Sequence, residues 1–175
     1  MIKIKDILKS NQGFTLVELL IVFMVMALLA AGMIFYSRSG ERQIILFQNQ
    51  MKIVGALQRA KTLAIGAYGA ASSCGYGVNF QSSDNTMIIF NDIDSNCANS
   101  NFKYSSSDTK FETVKLDKLI KFSGSDFDVV FAPPDPITYI DGDSKASDKI
   151  ITISTLDNQF SVAVKITKFG QITTQ

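Results

Sequence analysis

The residues best placed to do chemistry lie near the start of the chain, in "QGFTLVELL". Gly13 has no side chain, so a peptidase can approach the backbone closely there. If the chain were opened after Gly13, its new terminus would be an ammonium on Phe14. Glu18 follows four residues later, one helical turn away, and a carboxylate in a first turn is favoured by the helix dipole. Cys74 and Cys97 are the only two cysteines. Two acidic runs, one with Asp92, Asp94 and Asn96 and the other with Asp141, Asp143 and Asp148, offer hard oxygen atoms at spacings that suit calcium. An EF-hand loop would want glycine where Cys97 stands and glutamate where Lys103 stands, so solvated turns are the favoured reading. The chain has no histidine, no metal-hydrolase spacing and no phosphate-cradling glycine loop. No catalytic residue, metal site or cofactor is expected.

The elements that must position these groups fall into two unlike halves. From Phe14 to Tyr36 there are 23 residues with Glu18 as the single charge. As a helix they span about 34 Å, which matches a hydrocarbon core of about 30 Å. Lys3, Lys5 and Lys9 stand ahead of this run against Asp6, which places the N-terminus in the cytoplasm and the bulk of the chain across the membrane. Residues 37–68 continue the helical pattern in amphipathic form. Leu46, Ile53, Leu57, Ala60 and Ala64 form one stripe, flanked by Phe47, Met51 and Val54. Arg42, Lys52, Arg59 and Lys61 mostly take other faces. One helix from about Phe14 to Tyr68 is therefore expected, with Gly32 and Gly40 as weak points.

Residues 69–175 read as β-rich. "CGYGVNF" and "TMIIFND" form one antiparallel hairpin, and "KIITISTL" with "FSVAVKIT" forms another. "ETVKLDKLIKF" and "DFDVVFA" supply further strands, while "PPDP" and "DGDSKASD" mark loops. The expected fold class is α+β, a long helix laid on an antiparallel sheet. Cys74 and Cys97 flank the first hairpin, and outside the cytoplasm they read as a disulfide; two buried free thiols are the alternative.

The leader, the glycine and the run "FTLVELL" resemble the processing motif of type IV prepilins and the pseudopilins of type II secretion. That resemblance implies a leader of residues 1–13, cleavage by a prepilin peptidase between Gly13 and Phe14, N-methylation of Phe14, and a type IV pilin-like fold. It also implies that Glu18 meets the Phe14 amine of a neighbouring subunit during assembly; an ion pair within one subunit, near the headgroups, is the alternative. The implied partners are sister pilins or pseudopilins, the peptidase, an inner-membrane platform protein and an assembly ATPase. The implied location is a single-pass inner-membrane protein that passes into a periplasmic or extracellular filament. "LQRAKTLAIGAYG", "CGYGVNF", "VVFAPP" and "VAVKITKFGQI" are similar in layout to H-type pseudopilins and related minor pilins. The cysteines differ from those of common major pilins in lying near the first hairpin.

The resemblance implies a structural subunit rather than an enzyme, either a minor pilin or a pseudopilin. A tip subunit whose head binds a surface, a ligand or DNA is the second reading. Against DNA, residues 70–175 carry nine lysines, no arginine and thirteen Asp plus Glu, and phosphate binding wants the opposite balance. An ordinary signal peptide with small residues at "ALLAAG" is the rival for the N-terminus. Its apolar run would be long for that role and an acid at its start unusual.

Overall fold

The computed structural model describes residues 14–67, 69, 73–134 and 137–175, with the side chains of residues 34–39 left aside. The leader residues 1–13 and Tyr68 lie outside the described residues. Two compact units are resolved, Met1–Glu41 and Arg42–Gln175. Helix α1, Leu16–Gly66, belongs to both, and its helical assignment continues through Gly32 and Gly40.

Within the first unit, the window Leu16–Met33 is long and apolar enough to cross a membrane, and none of it is buried. Within the second unit, residues 42–66 of α1 pack on β-structure. The periodic stripe goes inward: Leu46, Ile53, Leu57, Ala60 and Ala64 are all buried. Each large apolar side chain hidden there contributes roughly 1.5–3 kcal/mol. Of the three flanking residues, Val54 joins this core, while Phe47 and Met51 stay exposed.

Among the described residues nine strands follow: β1 Ser73–Gln81, β2 Thr86–Ile93, β3 Thr109–Lys115, β4 Ile120–Ser123, β5 Phe127–Ala132, β6 Ile137–Ile140, β7 Lys149–Thr155, β8 Ser161–Ile166 and β9 Ile172–Thr174. Both expected hairpins are present, β1 with β2 and β7 with β8, each antiparallel. The architecture is α+β and type IV pilin-like, but the single sheet expected from the sequence is two. One has the order β3-β2-β1-β5-β6 and the other β4-β7-β8-β9. The divide falls inside "ETVKLDKLIKF". Asp117 turns the chain there, its carboxylate accepting from Leu119 N and its carbonyl from Ile120 N. Asp117 N–H is itself held by Asn49 Oδ1 of α1 at 2.9 Å. β3 therefore stays on β2, and β4 crosses to β7.

Both sheets share one core with α1. Val78, Phe80, Met87, Ile89, Val129 and Phe131 enter it from the first sheet, and Ile120, Ile153, Val164 and Ile166 from the second. Polar side chains on α1 fix the fit: Gln50 Nε2 donates to Ala163 O and Lys61 Nζ to Gly170 O, both at 2.9 Å. Gly170 has φ +72, and a Cβ there would stand 2.7 Å from Thr138 Oγ1, so that turn requires glycine.

The outer face of the first sheet is not left to solvent. Ile88, Phe90 and Val130 form a second, smaller core, covered by Phe102, Tyr104 and Tyr139. Phe102 and Tyr104 come from the connection between β2 and β3, which folds back over the sheet. Gly77 permits this packing, because a Cβ there would meet Val130 Cγ2 at 2.7 Å and Phe90 Cζ at 2.8 Å.

Candidate functional site

α1 begins with a capped turn. Thr15 stands just before the helix; its Oγ1 accepts from Glu18 N at 3.2 Å, and its carbonyl accepts from Leu19 N at 3.1 Å. The first bond satisfies one of the amides that a helix start leaves without partners, and the second is the first regular bond of the helix. Thr15-x-x-Glu18 has the spacing of a capping box. The role of Thr15 is legible in that spacing.

Phe14 and Glu18 lie at the same end of α1 and are both exposed. Gly13 lies outside the described residues. From Phe14 to Met33, fourteen large apolar side chains are exposed, from Leu16 at 76% to Val22 at 45%. At roughly 1.5 kcal/mol for each side chain hidden, covering this surface is worth on the order of 20 kcal/mol. None of the described residues covers it. Glu18 interrupts that surface within its first turn and makes no ion pair among the described residues.

In the second unit, Cys74 and Cys97 are joined by a disulfide across a sequence separation of 23 residues. Cys74 is buried in β1 and Cys97 begins the short 3-10 turn Cys97–Asn99. The bond ties the start of the covering connection to the sheet. Closing a loop of that length contributes about 3 kcal/mol in the chain-entropy model. The double variant Cys74→Ser, Cys97→Ser is expected to lose about that much stability, read as a lower urea midpoint. An unchanged midpoint under oxidising conditions would show that the bond contributes nothing.

The acidic loops are engaged in building turns. Asp92 is buried and accepts from Ser100 Oγ at 2.7 Å; its burial raises its pKa above the ordinary carboxylate value, against that hydrogen bond. Asn96 Oδ1 caps the 3-10 turn by accepting from Ala98 N. Asp141 Oδ1 accepts from Asp128 N, and Asp143 Oδ1 from Lys145 N. Asp148 accepts from Lys165 Nζ and Lys168 N, which lower its pKa. Among the described residues no cluster of three or more His, Cys, Asp or Glu side chains is arranged to hold a metal ion.

A further buried pair had no signal in the sequence. Asn79 of β1 and Asp128 of β5 are register partners, each 9% exposed, and Asn79 Nδ2 donates to Asp128 Oδ1 at 2.8 Å. Neither position breaks the strand pattern in a way that marks the other.

Residues 8–34 match a family model described as "Prokaryotic N-terminal methylation motif". The match takes in Gly13, Phe14, Thr15 and Glu18. No curated protein and no solved structure matches the chain.

Proposed function

We propose that this chain is a structural subunit of a type IV pilus or type II secretion filament, a minor pilin or pseudopilin cut after Gly13 and methylated on Phe14. The observation that carries the reading is the wholly exposed apolar helix Leu16–Met33, which begins with a capped turn and a lone carboxylate inside the methylation-motif match. In the membrane that helix is an anchor; in a filament it is the part that neighbours enclose. Lys3, Lys5 and Lys9 keep the leader in the cytoplasm. The second unit then lies outside, where its disulfide is stable.

Sister pilins or pseudopilins, a prepilin peptidase, an inner-membrane platform protein and an assembly ATPase complete the machine on this reading. The ATPase supplies the energy. The placement among minor pilins and H-type pseudopilins rests on the order of the elements and the terminal turn and strand at Phe169, Gly170, Gln171 and Ile172, while the disulfide near the first hairpin departs from common major pilins.

The deciding measurement is the N-terminal peptide of the protein recovered from sheared filaments. The expected peptide begins with N-methylated Phe14. A peptide beginning at Met1, or beyond "ALLAAG" at Met33, would overturn the reading. The first would mean an uncut membrane anchor and the second a secreted head.

A further inference from the structure

The connection between β2 and β3, residues 94–108, covers the outer face of the first sheet, and polar contacts supplement its aromatic packing. Phe102 stacks on Tyr139 with ring centroids 3.8 Å apart, and Tyr104 meets Phe90 edge-on at 5.1 Å. Ser100 Oγ donates to Asp92, and Asp108 accepts from Ile93 N and Ser105 N. Beneath the connection lies Asp128, with the Tyr104 backbone N–H close enough to favour its ionised form.

The Asn79–Asp128 pair is incomplete as it stands. Both residues are nine-tenths buried, and the amide donates to the carboxylate through Nδ2. The other end of the same amide, Asn79 Oδ1, is buried without a hydrogen-bond partner among the described residues. A buried acceptor without a donor is unfavourable. An ionised carboxylate has no proton to offer it, whereas a carboxylic acid does. An acid facing a primary amide matches it at both ends, with N–H to carbonyl on one side and O–H to carbonyl on the other.

We propose that Asp128 takes up a proton from the medium as the pH falls and donates it in a hydrogen bond to Asn79 Oδ1, making the pair an acid-tightened latch beneath residues 94–108. The charged groups around it decide the direction. From β1 only the neutral Asn79 amide faces it. From the covering connection come Lys103 and the Tyr104 N–H, which favour the ionised form. From the loop after β6 comes Asp141, which disfavours it. Asp141 is itself within 3.8 Å of Lys149 Nζ. Burial outweighs the rest and pushes the Asp128 carboxyl above its ordinary value. With the folded value raised, the folded head holds the proton more tightly than the unfolded chain. Stability at this site is therefore gained as pH falls through the folded value and lost as pH rises through it.

The test uses the full chain in detergent micelles, with hydrogen exchange at the Tyr104 amide corrected for the intrinsic pH dependence. In the wild type, protection should rise on acidification by at most about tenfold per pH unit, the limit for one linked proton. Asp128→Asn presents an amide to Asn79, which keeps both hydrogen bonds without a charge. That variant should already be as protected at neutral pH as the wild type in acid, and its protection should no longer depend on pH through this site. Asp92 remains in both proteins, so any pH dependence it carries cancels in the comparison. Faster exchange in Asp128→Asn at neutral pH, or an undiminished pH dependence, would overturn the proposal. Infrared difference spectra of the wild type provide an independent reading: a buried carboxylic acid band should grow in as pH falls and be smaller in Asp128→Asn, which keeps the contribution of Asp92. A band of equal size in both proteins would also overturn it.

Discussion

A chain carrying Gly13→Glu is expected to stay at full precursor length in the membrane and to be missing from sheared filaments. The peptidase has to bring its catalytic groups against the backbone between residues 13 and 14, and only glycine leaves that backbone bare on its leader side. A glutamate adds five heavy atoms and a charge beside the bond to be cut. The consequences run beyond the uncut leader. Without cleavage Phe14 has an amide nitrogen in place of an amine, so there is nothing to methylate and no cation one turn from Glu18. The leader lysines, Lys3, Lys5 and Lys9, also stay attached to the end of a helix that must leave the bilayer. Burying a charge at the centre of a bilayer costs about 2.5–3.5 kcal/mol on insertion scales, so a retained leader anchors the subunit where it is. The check is a mobility comparison on gels together with the terminal peptide. A Gly13→Glu chain of mature length, beginning at Phe14, would show that cleavage does not depend on this glycine.

The parts of this molecule that announced themselves are those whose pattern is local. The stripe Leu46, Ile53, Leu57, Ala60 and Ala64 repeats at helical spacing because one face of α1 meets the core, and all five residues are buried. The two hairpins are joined by short polar turns, so each strand's partner is its neighbour in sequence. The cysteines flank the first of those hairpins, which brings them together once it forms. What was not legible depends on pairing at a distance. Alternation shows that Phe127–Ala132 is a strand; it does not show that β1 takes it as a second partner, or that β4 leaves β3 for β7. That departure is set by a turn at Asp117 which a side chain from α1, Asn49, holds from 68 residues away. β6 is four residues long at a sheet edge and has Pro133 and Pro134 just ahead of it, so its own pattern is weak. Phe47 and Met51 look like core residues by composition and are exposed. Large apolar residues on the outer face of a helix are as consistent with a neighbour's contact as with a core.

Glu18→Ala is expected to give a chain that is cut, methylated and membrane-bound, yet largely missing from filaments. On the proposed function, cleavage and methylation act on Gly13 and Phe14, which the substitution leaves alone. The start of the helix is also spared, because the cap joins Thr15 Oγ1 to the backbone N–H of Glu18 and uses nothing of the glutamate side chain. What is lost is a carboxylate that stands in an otherwise uncharged surface one turn from a new ammonium. Opposite charges about 4 Å apart at an effective dielectric of about 20 attract by about 4 kcal/mol. Within a bundle of apolar helices, an ammonium deprived of its partner is a buried, uncompensated charge, and breaking such a pair costs about 3–5 kcal/mol. A penalty of that size at every subunit contact would exclude the variant from a growing filament. Glu18→Gln tests charge separately from size, and it should fail almost as completely as alanine. Thr15→Val is the structural control: it removes the cap, at about 1 kcal/mol, while retaining both charges, and it should still assemble. The measurement is the ratio of each variant in sheared filaments to the same variant in membranes, taken beside the wild type. Normal incorporation of Glu18→Ala would reduce the glutamate to a local ion pair at the headgroups. Failure of Thr15→Val alongside normal assembly of Glu18→Ala would move the requirement from the charge pair to the helix start.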